Sequence, residues 1–144
     1  MVLPQLDLNA LNQAVTSLQQ ALQDSQDPAF TNSLTPSQRR LIIAGVIQNF
    51  EFSYELCYKM LKRQLEQDAA VPADIDQLSF KDLIRTAFEA GLLAEPELWF
   101  EFRRQRNITS HTYDQLKAQS VYQTAMVFLP QAQAVLTKLE QRNA

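Results

Sequence analysis

Glycine is scarce in this sequence, with two residues in 144. Tight β-turns need glycine or Asn-Gly pairs at positions of positive φ, so a protein built mainly of β-strands is disfavoured. Two glycines are also too few for a glycine-rich phosphate-binding loop. This composition favours an all-helical chain.

Metal-binding and nucleophilic side chains are equally rare. The sequence has one cysteine, Cys57, and one histidine, His111. A single cysteine forms no intrachain disulfide, and one cysteine far from one histidine gives no zinc-ligand spacing. We therefore expect neither a metal nor a cofactor, and the sequence suggests no nucleophilic triad.

Long apolar runs are missing as well. No segment approaches the roughly 20 uninterrupted apolar residues of a membrane span. The start, Met1 to Gln5, lacks a basic segment followed by an apolar run, so it gives no sign of export. A net charge of −3 argues against a generally basic nucleic-acid-binding surface, although a local group of arginines can still meet phosphate. We expect a cytoplasmic protein that does not enter membranes.

Apolar residues recur at threes and fours, which predicts helices. The first runs from Leu8 to about Gln26 with Asp7 as its cap, followed by a loop to Leu34. The second is the longest, about thirty residues, and begins at Thr35 with a capping box.

Three shorter patterns follow the loop around Pro72. One helix begins after Ser79 and stops at Gly91, and another begins at Glu95 and ends near the arginines 103, 104 and 106. The last runs from about Asp114 to Arg142, with a kink or break expected at Pro130 and a set of apolar residues for burial: Leu116, Val121, Met126, Leu129, Val135, Leu136 and Leu139. These elements predict one domain over residues 1–144, an all-α, up-and-down bundle of four or five helices.

The densest polar grouping is the stretch 106–114, RNITSHTYD. On a straight helix Arg106 and Tyr113 would share a face, whereas Arg106 and His111 would point about 140° apart. The modest helix propensity of residues 107–112 allows a bend that would bring the three together. The alternative is a capping or packed His111, a solvated Arg106 and a packed Tyr113 ring.

The long helix carries a second pattern. Glu51, Glu55 and Lys59 are spaced by four, the arrangement of ion pairs along a helix surface. The aromatic residues at positions 50, 52, 54 and 58 cannot all face one seam, which indicates either a second interface, such as a dimer, or packing on both sides within the bundle.

Three blocks resemble the nucleotidyltransferase substrate-binding protein family, which belongs to the HEPN superfamily and is akin to the HepT toxins. The blocks are 46–62 (VIQNFEFSYELCYKMLK), 85–93 (RTAFEAGLL) and 106–114, in the family's order. The family often has tryptophan where this chain has Tyr58, and arginine where it has Asn49. The resemblance implies a helical bundle that forms a homodimer and works with a small nucleotidyltransferase encoded nearby, in the manner of a toxin-antitoxin module.

The resemblance also implies roles for residues in the third block. Arg106 and His111 match the catalytic pair of metal-independent HEPN endoribonucleases, and Tyr113 matches a tyrosine that the partner transferase modifies with AMP. Asn107, Ser110 and Arg103 would help to bind a nucleotide or RNA, and Glu51, Glu55 and Lys59 would lie in a groove or dimer contact. Three readings remain: a substrate-binding or nucleotide-binding subunit of the transferase, an active endoribonuclease silenced by AMP on Tyr113, and a structural subunit without a site.

Overall fold

The computed structural model describes residues 5–144, so most of the segment on which the export argument rests, Met1 to Pro4, lies outside the described residues. Residues 5–144 form helices and turns, with no β-strand among them. In chain order the helices are α1 (Asn9–Gln26), α2 (Pro28–Thr31), α3 (Pro36–Asp68), α4 (Ala73–Asp76), α5 (Phe80–Glu89), α6 (Pro96–Arg106), a 3₁₀ turn (Thr109–His111) and α7 (Gln115–Arg142). The all-helical prediction is confirmed.

The start of α3 is set by its local sequence. The Thr35 hydroxyl accepts the Gln38 amide at 3.1 Å and the Gln38 side chain accepts the Thr35 amide at 2.9 Å, so the predicted capping box is present. Pro36 fits the first helical position, where an amide has no partner within the helix. The 33 residues of α3 extend about 50 Å, and α1, α5, α6 and α7 all contact this helix.

An aromatic cluster lies at the centre of the core. Phe128 of α7 meets Phe50 of α3 and Phe102 of α6 edge-on, with ring centroids 5.1 Å apart in each case. Trp99 of α6 joins them with its ring centroid 5.8 Å from that of Phe128. All four side chains are buried, and α1 packs along α3 and α7 beside them. The helices therefore share one hydrophobic core, as the predicted bundle requires.

The first two helices differ from the prediction at their boundaries. α1 begins at Asn9 with Leu8 as its cap residue, although the Asp7 carboxylate does accept the Asn9 amide at 3.0 Å. The loop predicted up to residue 34 contains the single turn α2, because the Asp27 side chain accepts a backbone amide at 3.0 Å and Pro28 suits a first helical position.

Two later features also differ. The loop that was predicted around Pro72 includes the helical turn α4. α7 continues through Pro130, so the predicted break is absent. Pro130 is exposed, so its ring lies on the solvent side of α7.

Leu116 was predicted to be buried and is instead 84% exposed. The buried stripe of α7 begins at Val121, five residues later, and five residues correspond to a rotation of about 140° around a helix. Leu116 therefore points away from the core and towards the surface beside the turn that precedes α7.

The aromatic residues of α3 divide between two sides, as expected. Phe50 and Tyr54 are buried in the core, while Tyr58 packs on Phe80 of α5 with ring centroids 5.6 Å apart. Phe52 is 56% exposed. Tyr58 thus makes its contact within the bundle, whereas the Phe52 ring leaves an apolar group on the surface. Between residues 5 and 144, no helix combines the length and hydropathy needed to cross a bilayer.

Candidate functional site

The stretch 106–114 forms the turn between α6 and α7. α6 ends at Arg106, and the chain passes through the 3₁₀ turn to Asp114, which caps α7 by accepting two backbone amides at 2.9 and 3.3 Å. The Thr109 hydroxyl donates to the Arg106 carbonyl at 2.8 Å, and Thr112 donates to the Thr109 carbonyl at 3.2 Å. The straight helix that would separate Arg106 from His111 is therefore interrupted, as the composition of this stretch allowed.

Arg106 is held by two carboxylates of α3. Its Nε donates to Glu55 Oε1 at 2.7 Å, and a terminal nitrogen lies 3.4 Å from Glu51 Oε1. Glu51 and Glu55 are one helical turn apart, so both face the same cation. The Arg106 side chain is 31% exposed, so solvent or a ligand can reach a guanidinium whose charge is already balanced by acids.

The interpretation of positions 51, 55 and 59 as ion pairs along one helix was wrong for the two acids. Glu51 and Glu55 bind an arginine of another helix, and in the described part of the chain no ion pair joins Glu55 to Lys59. Lys59 instead lines a surface groove of about 560 Å³ with Glu55, Tyr58 and the exposed Phe52.

His111 and Tyr113 lie beside each other on the outer side of the turn. Their ring centroids are 6.1 Å apart at an interplanar angle of 73°, and Tyr113 is 84% exposed. Ser110 is exposed next to them. Arg106 makes its side-chain hydrogen bond to α3 rather than to His111. The structure therefore pairs His111 with Tyr113 and pairs Arg106 with the acids of α3.

A small cavity of about 180 Å³ adjoins Arg106 and is lined by Tyr54, Glu55, Tyr58, Arg103, Arg106 and Asn107. Arg103 stacks over the Phe80 ring at 4.3 Å, which fixes its guanidinium at the edge of the cavity. Burial raises the pKa of the Tyr54 phenol, and the nearby Arg103 only partly opposes this, so Tyr54 is a neutral wall. The cavity is smaller than the roughly 300 Å³ at which sites for drug-sized ligands begin, and it suits a phosphate better than a nucleoside.

A larger groove of about 700 Å³ runs between the first half of α3 and the start of α7. Arg39 and Arg40 line it from α3, Tyr113 from the turn and Leu116 from α7, and the remaining lining residues are Pro36, Ile43, Ala44, Ile47, Thr112, Gln115, Ala118 and Gln119. We call it the Arg39–Tyr113 groove.

Metal ligands do not cluster near these groups. Within residues 5–144 no set of three His, Cys, Asp or Glu side chains is arranged to hold a metal ion. Around the turn between α6 and α7 the chain offers a guanidinium, an imidazole and a phenol, which are groups for anion binding and proton transfer.

The comparison with known families is decisive for this chain. A profile of the family described as nucleotidyltransferase substrate binding protein like matches residues 6–141. The chain belongs to this family. The match spans all three sequence blocks that carried the resemblance, which is thereby confirmed.

Two of the comparisons lead to Haemophilus influenzae. A protein named probable ribonuclease HepT is 43% identical over 143 residues, which is 99% of this chain and 98% of the relative. A solved structure described as the fold of a substrate-binding domain of a nucleotidyltransferase is also 43% identical, has a TM-score of 0.91, and the match covers 94% of this chain and 100% of that one.

A solved structure from Thermus thermophilus is more distant. It is 25% identical, with a TM-score of 0.69, and the match covers 90% of this chain and 98% of the other. The helical fold is thus shared with a protein of 25% sequence identity.

Sequence reasoning missed two features of this family member. The first is the clamp of Glu51 and Glu55 on Arg106, for which the spacing of the acids was the available signal. The second is the Arg39–Tyr113 groove, whose signal is that Arg39 and Arg40 are the only charged residues from position 28 to position 50.

Asn49 lies in the seam between α1 and α3. It accepts the Ser17 hydroxyl at 2.6 Å and donates to the Gly45 carbonyl at 2.8 Å. An arginine at this position would have no acceptor for the Ser17 hydroxyl, so this hydrogen bond to α1 depends on the asparagine.

Proposed function

We propose that this chain is the partner subunit of a small nucleotidyltransferase encoded nearby, and that the transferase attaches AMP to Tyr113. The observation that carries the proposal is the exposure of Tyr113, 84%, on a turn that is fixed by hydrogen bonds at both ends. A transferase can reach such a phenol without unfolding its substrate. The family match and the description of the Haemophilus structure support the same partner.

The transfer step has simple requirements. The Tyr113 oxygen attacks the α-phosphorus of ATP, the bond from that phosphorus to the bridging oxygen breaks, and pyrophosphate leaves. The phenolic proton passes to a base of the transferase or to water, and a tyrosine-AMP phosphodiester remains. The present chain contributes the acceptor and its orientation, and the transferase contributes the ATP site. Because this chemistry uses ATP, we place the protein in the cytoplasm.

The experiment is co-expression of the chain with the transferase gene beside it, followed by size exclusion and intact mass measurement. We expect a stable complex and a gain of one or more AMP groups that is lost in Tyr113→Phe. Tyr122→Phe is the matched control, because its hydroxyl bonds to Ser25 at 2.7 Å within the bundle. If co-expression yields no complex and no mass gain, the proposal is overturned.

The second candidate is a metal-independent endoribonuclease, favoured by the relative named probable ribonuclease HepT and by the pair Arg106 and His111. In this reaction the RNA 2′-oxygen attacks the adjacent phosphorus and the bond to the 5′-oxygen breaks, which leaves a cyclic phosphate and a 5′-hydroxyl. His111 would take the 2′-proton or protonate the leaving oxygen, and Arg106 would stabilise the charge on phosphorus. DNA lacks the 2′-hydroxyl and should not be cut.

A homodimer is part of this proposal. One chain has a single histidine, so a second copy would supply the other proton-transfer group. The exposed Phe52 and its groove, with Lys59, give an apolar and charged surface on α3 for that contact. Arg103, Arg106, Asn107, Ser110 and His111 would then line the RNA path.

Attachment of AMP to Tyr113 connects the two candidates. The added nucleotide brings bulk and negative charge beside His111, where RNA would need to bind. We expect purified, unmodified protein to cut RNA, and we expect Arg106→Ala, His111→Ala and AMP-modified protein not to do so. Equal cleavage by all four proteins, or by none, would remove the ribonuclease candidate and leave the substrate-binding role to be judged by the co-expression experiment.

A further inference from the structure

The Arg39–Tyr113 groove is positively charged on a chain that is acidic overall. The chain has a net charge of −3, yet the lining of the groove contains two arginines and no acidic residue. Within residues 5–144, no carboxylate forms an ion pair with Arg39 or Arg40. Arg39 Nε donates to the Leu34 carbonyl at 3.4 Å, so one edge of this guanidinium is tied to the backbone while its terminal nitrogens remain for an anion.

The other cation close to the turn is in a different electrostatic state. Arg106 is bound to Glu55 at 2.7 Å and approached by Glu51 at 3.4 Å, so an anion there meets two carboxylates as well as the guanidinium. Like charges at such distances repel an added phosphate, whereas the Arg39–Tyr113 groove presents none. A phosphate attached at the Tyr113 hydroxyl would therefore be bound more favourably on the side of Arg39 and Arg40 than beside Arg106.

The shape of the groove agrees with its charge. Its volume of about 700 Å³ exceeds that of the cavity beside Arg106, about 180 Å³, and lies within the range of small-molecule sites. Ile43, Ala44 and Ile47 lie along its α3 side, and the exposed Leu116 stands next to Tyr113. A groove that combines apolar side chains with two cations matches a nucleotide, whose base is flat and weakly polar and whose phosphate is anionic.

We infer that the Arg39–Tyr113 groove is a nucleoside monophosphate site, with the phosphate held by Arg39 and Arg40 and the base between Ile43 and Leu116. For its biological meaning the inference rests on the proposed function, since a nucleotide attached to Tyr113 would occupy this groove. Arg39 and Arg40 would then hold the phosphate of the modifying group in place.

The test uses the unmodified chain and needs no transferase. AMP and adenosine are titrated into isotopically labelled protein, and dissociation constants are taken from amide chemical shifts. We expect AMP to bind about tenfold more tightly than adenosine, with shifts at Tyr113 and Leu116, because charged hydrogen bonds to phosphate are among the stronger ones. Arg39→Gln with Arg40→Gln should remove that preference, and Arg63→Gln, an exposed arginine further along α3, should keep it.

Each outcome decides the inference separately from the proposed function. Equal affinity for AMP and adenosine, or an AMP affinity unchanged in the double variant, overturns the nucleotide site even if Tyr113 is modified in cells. A preference that disappears with the two arginines supports the site even if co-expression leaves Tyr113 unmodified. If the shifts vanish as chain concentration rises and the protein self-associates, the groove is a contact between copies and the assignment is overturned.

Discussion

Glu55→Gln tests whether the acids of α3 control the charge of Arg106. The substitution keeps a side-chain oxygen that can accept from Arg106 Nε, but removes one negative charge. Because Glu55 is 51% exposed and Arg106 31%, their ion pair should contribute less than about 1 kcal/mol to the free energy of unfolding. The midpoint of thermal unfolding should therefore fall by no more than about 4 °C.

The larger effect concerns anion binding. A phosphate on the open edge of the Arg106 guanidinium would lie about 6 Å from the Glu55 carboxylate, where like charges repel by about 0.7 kcal/mol in water and about 2.8 kcal/mol at an effective dielectric constant of 20. For this partly exposed site we take about 1 kcal/mol, which is about a fivefold gain in RNA affinity for Glu55→Gln.

Fluorescence anisotropy with a labelled single-stranded RNA measures this gain, in a His111→Ala background so that the RNA stays intact. Glu140→Gln, near the far end of α7, changes the net charge equally and serves as the control. The gain should shrink as salt is raised, because the carboxylate and the phosphate are both accessible to ions. Unchanged or weaker RNA binding in Glu55→Gln at low salt would refute the reasoning.

Three further predictions concern stability. Burial raises the pKa of the Cys57 thiol, while in the unfolded chain it titrates near 8.5, so the free energy of unfolding should fall by up to about 1.4 kcal/mol per pH unit above that value. Urea unfolding between about pH 7.5 and 9.5 measures this slope, which should be flatter in Cys57→Ala. The same slope in wild type and Cys57→Ala would contradict the assignment of the pH dependence to Cys57. Phe128→Ala removes a ring that contacts those of Phe50, Trp99 and Phe102, and should cost about 3 to 5 kcal/mol by urea unfolding; a loss below about 1 kcal/mol would contradict the packing. Asp114→Ala should cost about 1 kcal/mol and Asp114→Asn much less, since asparagine also caps helices; equal losses would exclude the cap.

The features of the fold that could be predicted from sequence are those that depend on neighbouring residues. The capping box of Thr35 and Gln38 closes within four residues, and Gly91 ends α5 by adopting a φ of 78°, which other residues rarely take. The failures have local causes too. Leu116 matched the apolar spacing of α7 but lies before the buried stripe begins, and Pro130 was compatible with an exposed helix face.

The site was less predictable because its contacts are distant in sequence. The stretch 106–114 could be singled out by its residue types, and its bend by its threonines. The pairing of Arg106 with Glu55 spans 51 positions and exists only because α6 packs beside α3. The approach of Arg39 and Arg40 to Tyr113 likewise depends on where α7 begins relative to α3. Neither contact can be predicted from the spacing of residues within one helix.

The most direct test of the proposed partnership is a peptide map of the chain after incubation with the purified neighbouring transferase and ATP. The account predicts AMP on the peptide that contains Tyr113, and none on the peptides that contain Tyr54 and Tyr122, whose rings lie inside the bundle or at its surface seam. AMP on another residue, or an unmodified Tyr113 in a chain that binds the transferase, would contradict the claim that Tyr113 is the acceptor.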